Sequence, residues 1–185
     1  MIDDMHDEMK AAMDKSVEAL QRELRHIRTG RASLALLDGI TAEYYGTPTP
    51  VNQLATLSIP EPRQILIQPW DSKAIPDIEK AIMKSELGLT PMNDGKLIRI
   101  GLPPLTAERR KELVRVVKKM GEEFKVQVRN HRRDANEMLK ELKKSKDISE
   151  DDLHKGQERV QKTTDRVISQ IDTIVGEKEA EIMEV

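Results

Sequence analysis

Apolar residues recur at steps of three and four along the start of the chain, at Ile2, Met5, Met9, Met13, Val17, Leu20, Leu24 and Ile27. This spacing is one face of an α-helix, and no Pro or Gly interrupts it before Gly30. The pattern returns over residues 105–146, at Leu113, Val117, Met120, Phe124, Val128, His131, Ala135, Met138 and Leu142. Pro103-Pro104 precedes this stretch, and Thr106 is placed to cap it. A third stretch opens at Ser149, with Glu150, Asp151 and Asp152 in its first turn. Asp152, three residues after Ser149, has the spacing of a capping box, and the acids suit the positive end of a helix. The stripe there runs Leu153, Val160, Thr164, Val167, Ile171, Ile174 and Ile182. At about 1.5 Å per residue the three helices would be roughly 40, 60 and 55 Å long. Each has a single apolar stripe, and three such stripes facing one another make a bundle core. The short link Lys146-Asp147-Ile148 predicts that the second and third long helices are antiparallel neighbours. Gly121, Gly156 and Gly176 interrupt them, each costing about 1 kcal/mol against Ala in a helix interior.

Residues 31–104 follow a different pattern. Seven of the nine prolines lie from Pro48 to Pro91. Ile40–Tyr45 reads as a strand closed by the turn-rich Gly46-Thr47-Pro48-Thr49-Pro50. Leu54–Ile59 and Arg63–Gln68 are short apolar runs around a turn at Glu61-Pro62. Ile75–Met83 is a short helix with Ile75, Ile78, Ala81 and Ile82 on one side, and Lys96–Ile100 is a further strand. The predicted fold class is therefore α+β. It comprises a long antiparallel three-helix bundle from residues 1–30 and 105–185, and a small β/α/β domain, 31–104, inserted into it. The chain crosses between them twice, at Thr29-Gly30-Arg31 and at Leu102-Pro103-Pro104. A double crossing with no helix running through it is a candidate hinge.

Composition agrees with long helices. Charged residues make up 35% and aromatic residues 2%, too few aromatics for a large β-sandwich or barrel. The net charge of −2 conceals an asymmetry. Residues 105–146 carry 14 basic and 7 acidic side chains, net +7, whereas 147–185 carry 5 and 11, net −6. The positive charge concentrates at Val128-Arg129-Asn130-His131-Arg132-Arg133-Asp134. At about 100° per residue, Arg115, Arg129 and Arg133 point away from the apolar stripe, Lys118 and Lys125 lie on the outer half, and Arg132 sits on its flank. Charge runs are usually a solvated face with ion pairs to a neighbour. Exposed pairs contribute only about 0–1 kcal/mol each, so stability does not require this clustering. The planar guanidinium fork also suits phosphate. Arg28 and Arg31 extend the basic character to the end of the first helix. Stacking aromatics are missing from the basic face, which disfavours single-strand recognition. A rigid helix reading the phosphates and shape of folded RNA fits better, and no DNA-reading pattern is present.

Catalytic and metal-binding patterns are missing. There is no cysteine, so disulfides, thiolate metal sites and Cys nucleophiles are excluded. His6, His26, His131 and His154 form no HExxH or i,i+4 pair. His131 falls on the helix seam and is expected to be a partly buried residue there. Gly88 to Lys96 has six residues between its glycines and lacks the Ser or Thr that a phosphate loop places after Lys. No run approaches the roughly 18 apolar residues of a membrane span, and the acidic Met1-Ile2-Asp3-Asp4-Met5 is not a secretory signal. A cytoplasmic protein with no cofactor and no metal is expected.

Several segments together resemble the bacterial ribosome recycling factor family. They are Ile27-Arg28-Thr29-Gly30-Arg31-Ala32-Ser33, Tyr44-Tyr45-Gly46-Thr47-Pro48, Ile78-Glu79-Lys80-Ala81-Ile82 and Leu87-Gly88-Leu89, then Pro103-Pro104-Leu105-Thr106, Glu108-Arg109-Arg110-Lys111, Val128-Arg129-Asn130, Arg132-Arg133-Asp134-Ala135-Asn136 and Gln161-Lys162-Thr163-Thr164-Asp165. The resemblance covers essentially the whole chain, in order, and departs at His131, where the family usually has an aliphatic residue. It implies a three-helix bundle and a smaller domain arranged as an L of tRNA-like size, with no catalytic site. The implied activity is ribosome recycling after termination: with elongation factor G and GTP, the post-termination complex is split into subunits and mRNA is released. The implied contacts to large-subunit rRNA are Arg132 and Arg129 foremost, then Arg133, Arg28, Arg31, Arg109 and Arg110. The small domain is expected to swing about the hinge under the push of elongation factor G. A coiled-coil adaptor, using the acidic third helix toward a protein partner, stands as the alternative. A closed bundle would run as a monomer in sedimentation, whereas an open seam would self-associate.

Overall fold

The computed structural model describes residues 1–184. It divides into two compact units, one formed by Met1–Leu24 with Glu108–Val185 and the other by Arg25–Ala107.

The first unit is the long antiparallel three-helix bundle, built from α1 (Ile2–Arg25), α3 (Ala107–Lys144) and α4 (Glu150–Met183). The stripe on α1 is buried from Met5 through Met9, Met13, Val17 and Leu20 to Leu24. It packs with Leu113, Val117, Phe124, Val128, Ala135 and Leu139 of α3 and with Val160, Val167, Ile171, Val175 and Ile182 of α4. Several positions differ from the periodic expectation, and Met120, Leu142 and Leu153 are only half-buried. Met138 is exposed and Leu139 is in the core, while Ile174 is only half-buried and Val175 takes the core position. A straight helix of 3.6 residues per turn drifts against any fixed three-four pattern, so over such lengths the buried stripe moves round by one residue.

Lys146 adopts a left-handed conformation with φ 69°, and the amides of Lys146 and Asp147 return to the carbonyls of Lys143 (3.1 Å) and Leu142 (2.9 Å). These two bonds satisfy the last carbonyls of α3 and reverse the chain. The capping box is complete. The Ser149 hydroxyl accepts from the Asp152 amide at 3.1 Å and the Asp152 carboxylate accepts from the Ser149 amide at 3.1 Å. The bonds from the Ser149 hydroxyl and amide hold the Asp152 carboxyl below its ordinary pKa. Inside the bundle, His6 Nε2 and Thr163 Oγ1, both buried, share a hydrogen bond of 2.9 Å between α1 and α4.

The glycines of the long helices are not equivalent. A Cβ at Gly121 would lie 2.6 Å from Val175 Cγ2, and one at Gly156 would lie 3.0 Å from Leu139 Cδ2, whereas one at Gly176 would meet nothing within 4 Å. At Gly121 and Gly156 the facing helix thus leaves no room for a side chain without displacement, and of the three only Gly176 is the plain helix cost that composition predicts.

The second unit contains β1 (Thr41–Tyr44), β2 (Thr47–Pro50), β3 (Ala55–Glu61), β4 (Gln64–Pro69), α2 (Ile75–Lys84), β5 (Pro91–Asn93) and β6 (Ile98–Gly101). Four strands make an antiparallel sheet in the order β3-β4-β6-β5. The inward residues Ile65 and Ile67 of β4 and Ile98 and Ile100 of β6 form one core with Ile75, Ile78 and Ile82 of α2. The turn-rich Gly46–Pro50 is itself mostly strand. Tyr45 and Gly46 both have positive φ, 49° and 77°, which makes the two-residue turn that matches strand twist. Tyr44 pairs with Thr47, so Pro48 and Pro50 fall opposite Glu43 and Thr41, at the positions of the ladder that need no N–H. The second unit also takes in residues 25–30 and 105–107, beyond the boundaries drawn from charge and Pro content. Gly30 has φ 83° and a Cβ there would lie 3.4 Å from Leu105 Cγ, and Leu102 is buried in the core with its amide bonded to the Arg63 carbonyl at 2.8 Å.

Candidate nucleic-acid interface

At 3.6 residues per turn, Arg115, Lys118, Lys125, Arg129, Arg132, Arg133 and Lys140 of α3 fall within a sector of about 100° beside the apolar stripe, with Glu122 the one carboxylate of α3 inside it. The sector has two edges with different fates. Along the edge nearer the core, basic residues meet α4, and Lys125, expected on the outer half, is instead largely buried there because it reaches across to Asp172. Lys118 Nζ lies 3.6 Å from Glu179 Oε2, Lys125 pairs with Asp172 and, at 2.9 Å, with Glu122, and Lys143 pairs with Glu150 at 3.0 Å. Asp172 first and Glu122 second hold the Lys125 ammonium above its ordinary pKa, while Lys143 holds the Glu150 carboxyl below its own.

The outer edge, with Arg129 and Arg133, and the next position of the core edge, Arg132, are different. Arg129 and Arg133 are exposed and Arg132 is half-buried. Among the described residues, no carboxylate lies within ion-pair distance of any of the three. Arg132 Nη1 instead donates to the amide oxygen of Gln161 at 3.3 Å. Arg129 and Arg133 are one helical turn apart, and like charges at that spacing destabilise a helix by about 0.2–0.5 kcal/mol. The cluster therefore carries a small folding cost that an anionic partner would offset. His131, beside Arg132, is half-buried, at the edge of the seam as expected.

The remaining candidates lie elsewhere. Arg109 pairs with Glu112 at 2.9 Å, and Arg110 donates to the Met183 carbonyl at 3.2 Å, where a cation complements the negative end of α4. Both stand near the start of α3, about 33 Å along the helix from Arg132. Arg28, half-buried, and Arg31, exposed, belong to the second unit. Thr29, Gly30 and Leu102 are buried in that unit, with Pro103 and Pro104 exposed. Gln161 was not singled out by charge or hydropathy. Its readable signals are its place in the segment Gln161–Asp165 quoted above and the i,i+4 spacing to Asp165, a pair that hydrogen-bonds on helices, and Gln161 Nε2 does donate to Asp165 Oδ1 at 2.7 Å.

No aromatic side chain lines this face. Phe124 is in the core, and the exposed Tyr45 and Trp70 lie in the second unit. Guanidinium forks on a rigid helix, without stacking platforms, engage phosphates rather than splayed bases. Among the described residues no group of three or more His, Asp or Glu side chains could hold a metal ion, and no helix is long and apolar enough to cross a membrane.

The pattern of the family described as "Ribosome recycling factor" matches residues 20–183. The chain is 60% identical to the ribosome-recycling factor of Syntrophus aciditrophicus and 59% identical to that of Syntrophobacter fumaroxidans, with each chain covered completely in both cases. A solution structure of a ribosome recycling factor is similar at 49% identity with a TM-score of 0.80, covering 100% of this chain and 98% of that one. A second solved structure presents the T. thermophilus ribosome recycling factor and the E. coli elongation factor G bound to the E. coli post-termination complex. It is similar at 44% identity with a TM-score of 0.68, and both chains are covered completely.

Proposed function

Because the chain belongs to the ribosome recycling factor family, we propose that it acts after translation termination, binding the large ribosomal subunit through the arginine edge of α3. With elongation factor G and GTP it then splits the post-termination complex into subunits and releases mRNA. The observation that carries this reading is the trio Arg129, Arg132 and Arg133, without a carboxylate partner among the described residues, on one face of a continuous helix. Arg132 and Arg129 make the principal rRNA contacts and Arg133 stands with them. Arg28, Arg31, Arg109 and Arg110 are outer contacts, with smaller effects at Arg109 and Arg110 because their guanidiniums already have partners in the bundle.

The work is mechanical, not catalytic. The bundle anchors on RNA phosphates, and force applied by elongation factor G to the inserted unit becomes displacement only if the anchor is stiff. The thirty-eight residues of α3 run without a break, and their core face is buried from Leu113 to Leu139. The hinge is assigned to the two stretches that run from Thr29-Gly30-Arg31 and Leu102-Pro103-Pro104 out to the unit boundaries at Leu24/Arg25 and Ala107/Glu108. The protein works as a monomer in the cytoplasm and needs no cofactor. Against a coiled-coil adaptor stands the fate of the acids of α4. Glu179, Asp172 and Glu150 pair with α3, and Asp152 caps its own helix, so the acidic excess is largely used within the bundle.

A polysome-breakdown assay with purified protein, elongation factor G and GTP tests the proposal. At subsaturating protein, Arg132→Ala is expected to slow breakdown by roughly ten- to a hundredfold, the loss of one charge-assisted hydrogen bond to phosphate. Its far-UV circular dichroism should match the parent. Equal breakdown rates for parent and variant would remove Arg132 from the interface.

A further inference from the structure

Basic residues of α3 and acidic residues of α4 are arranged as a ladder with a period of seven. Lys118, Lys125 and Arg132 are spaced by seven along α3, and Glu179, Asp172 and Asp165 are spaced by seven in the opposite direction along α4. Two rungs close as ion pairs, Lys118 with Glu179 and Lys125 with Asp172. The antiparallel register makes Asp165 the counterpart of Arg132, yet that rung stays open. What separates the two groups is Gln161. Its amide nitrogen donates to Asp165 Oδ1 at 2.7 Å, and its amide oxygen accepts from Arg132 Nη1 at 3.3 Å.

We infer that Gln161 is a positioning residue that holds the Asp165 carboxylate off Arg132 and so keeps the guanidinium available to a phosphate. An amide suits this task because it carries a donor and an acceptor on one planar group. It satisfies the carboxylate on one side and steadies the arginine on the other, and it adds no charge. The bond to Gln161 engages one arm of the guanidinium, and the group has five N–H donors. A carboxylate in the same place would bind the fork directly, and any phosphate would first have to displace it. All three rungs lie on the core edge of the sector, and the lysine rungs close there as ion pairs. The arginine rung alone is left open, within a turn of the exposed Arg129 and Arg133.

The inference rests on the phosphate-binding role proposed for Arg132, and its test separates the two. Binding to purified large ribosomal subunits is measured for the parent, Arg132→Ala, Gln161→Ala, Asp165→Asn and the Gln161→Ala/Asp165→Asn pair. Gln161 is exposed in mid-helix and alanine is the better helix former, so these chains fold. With Gln161 gone, Asp165 closes on Arg132, and affinity is expected to fall about three- to fivefold, the strength of an exposed ion pair. Adding Asp165→Asn should restore it, with a larger gain than Asp165→Asn produces in the parent. Urea unfolding supplies a readout independent of RNA. A double-mutant cycle between Arg132 and Asp165 should show no coupling in the parent and a coupling of up to about fivefold in the Gln161→Ala background. If Arg132→Ala weakens binding while Gln161→Ala does not, or if Asp165→Asn gains equally in both backgrounds, the positioning role is wrong. If Arg132→Ala itself binds like the parent, the phosphate role falls and takes this inference with it.

Discussion

Replacing Arg129, Arg132 and Arg133 together by alanine is expected to weaken binding to the large ribosomal subunit by about a thousandfold at moderate salt, from roughly 1.5 kcal/mol for each charge-assisted contact. The dependence on salt should change as well. Each phosphate neutralised contributes about 0.7–0.9 to the slope of log affinity against log salt, so the triple variant should show a slope shallower by about 2–3. Stability should move the other way. None of the three has a carboxylate partner among the described residues, and removing them relieves like-charge contacts one turn apart on α3 worth about 0.2–0.5 kcal/mol. The variant should therefore unfold in urea at the parent's midpoint or slightly above it. Loss of binding together with retained or improved stability separates a surface kept for a partner from one kept for the fold. A lower urea midpoint with unchanged affinity would assign the cluster to folding instead.

The largest effect on stability is expected at Gly121. A methyl group there lies 2.6 Å from Val175 Cγ2. Valine is stiff in a helix, with one strongly preferred rotamer, and Val175 is buried, so α3 and α4 must move apart. Gly176→Ala is the matched control, because its methyl group meets nothing within 4 Å. Both substitutions gain the same helix propensity, about 1 kcal/mol, and that term cancels in the comparison. What remains is the overpacking cost, about 1–3 kcal/mol. Chemical unfolding should show Gly176→Ala more stable than the parent and Gly121→Ala less stable than Gly176→Ala by that amount. Equal stabilities would mean that the two helices do not approach closely at this point. The consequence reaches the interface, because the separation of α3 from α4 also sets the reach from Arg132 to Gln161.

The bundle was legible because its signal is periodic and local. Three apolar stripes, the capping residues Ser149 and Asp152 and the four-residue reversal after Lys144 suffice to draw it, and each behaves as its spacing implies. The exchange of Met138 for Leu139 and of Ile174 for Val175 was hidden by helical drift, which a fixed pattern does not follow. Composition could not tell Gly121 from Gly176, since the difference lies in a neighbour more than fifty residues away. Strand β2 was obscured by its own prolines, which are tolerated only because the register puts them where no N–H is required. At the candidate site the outward arginines could be placed from the helical wheel alone. Gln161 could not, because a neutral side chain leaves no mark in a charge count and its partner Arg132 belongs to another helix.

The chain contains no cysteine, so a single introduced thiol gives a unique attachment point for an iron chelate that cleaves nearby RNA. Glu137 is exposed on α3, one turn beyond Arg133. With the probe on Glu137→Cys, and with purified large subunits, the proposed interface predicts localised strand cuts in large-subunit rRNA. These cuts should disappear under excess unlabelled parent and persist under excess of the chain lacking Arg129, Arg132 and Arg133. An absence of cuts, or cuts that the unlabelled parent does not remove, would contradict the placement of this edge of α3 against ribosomal RNA.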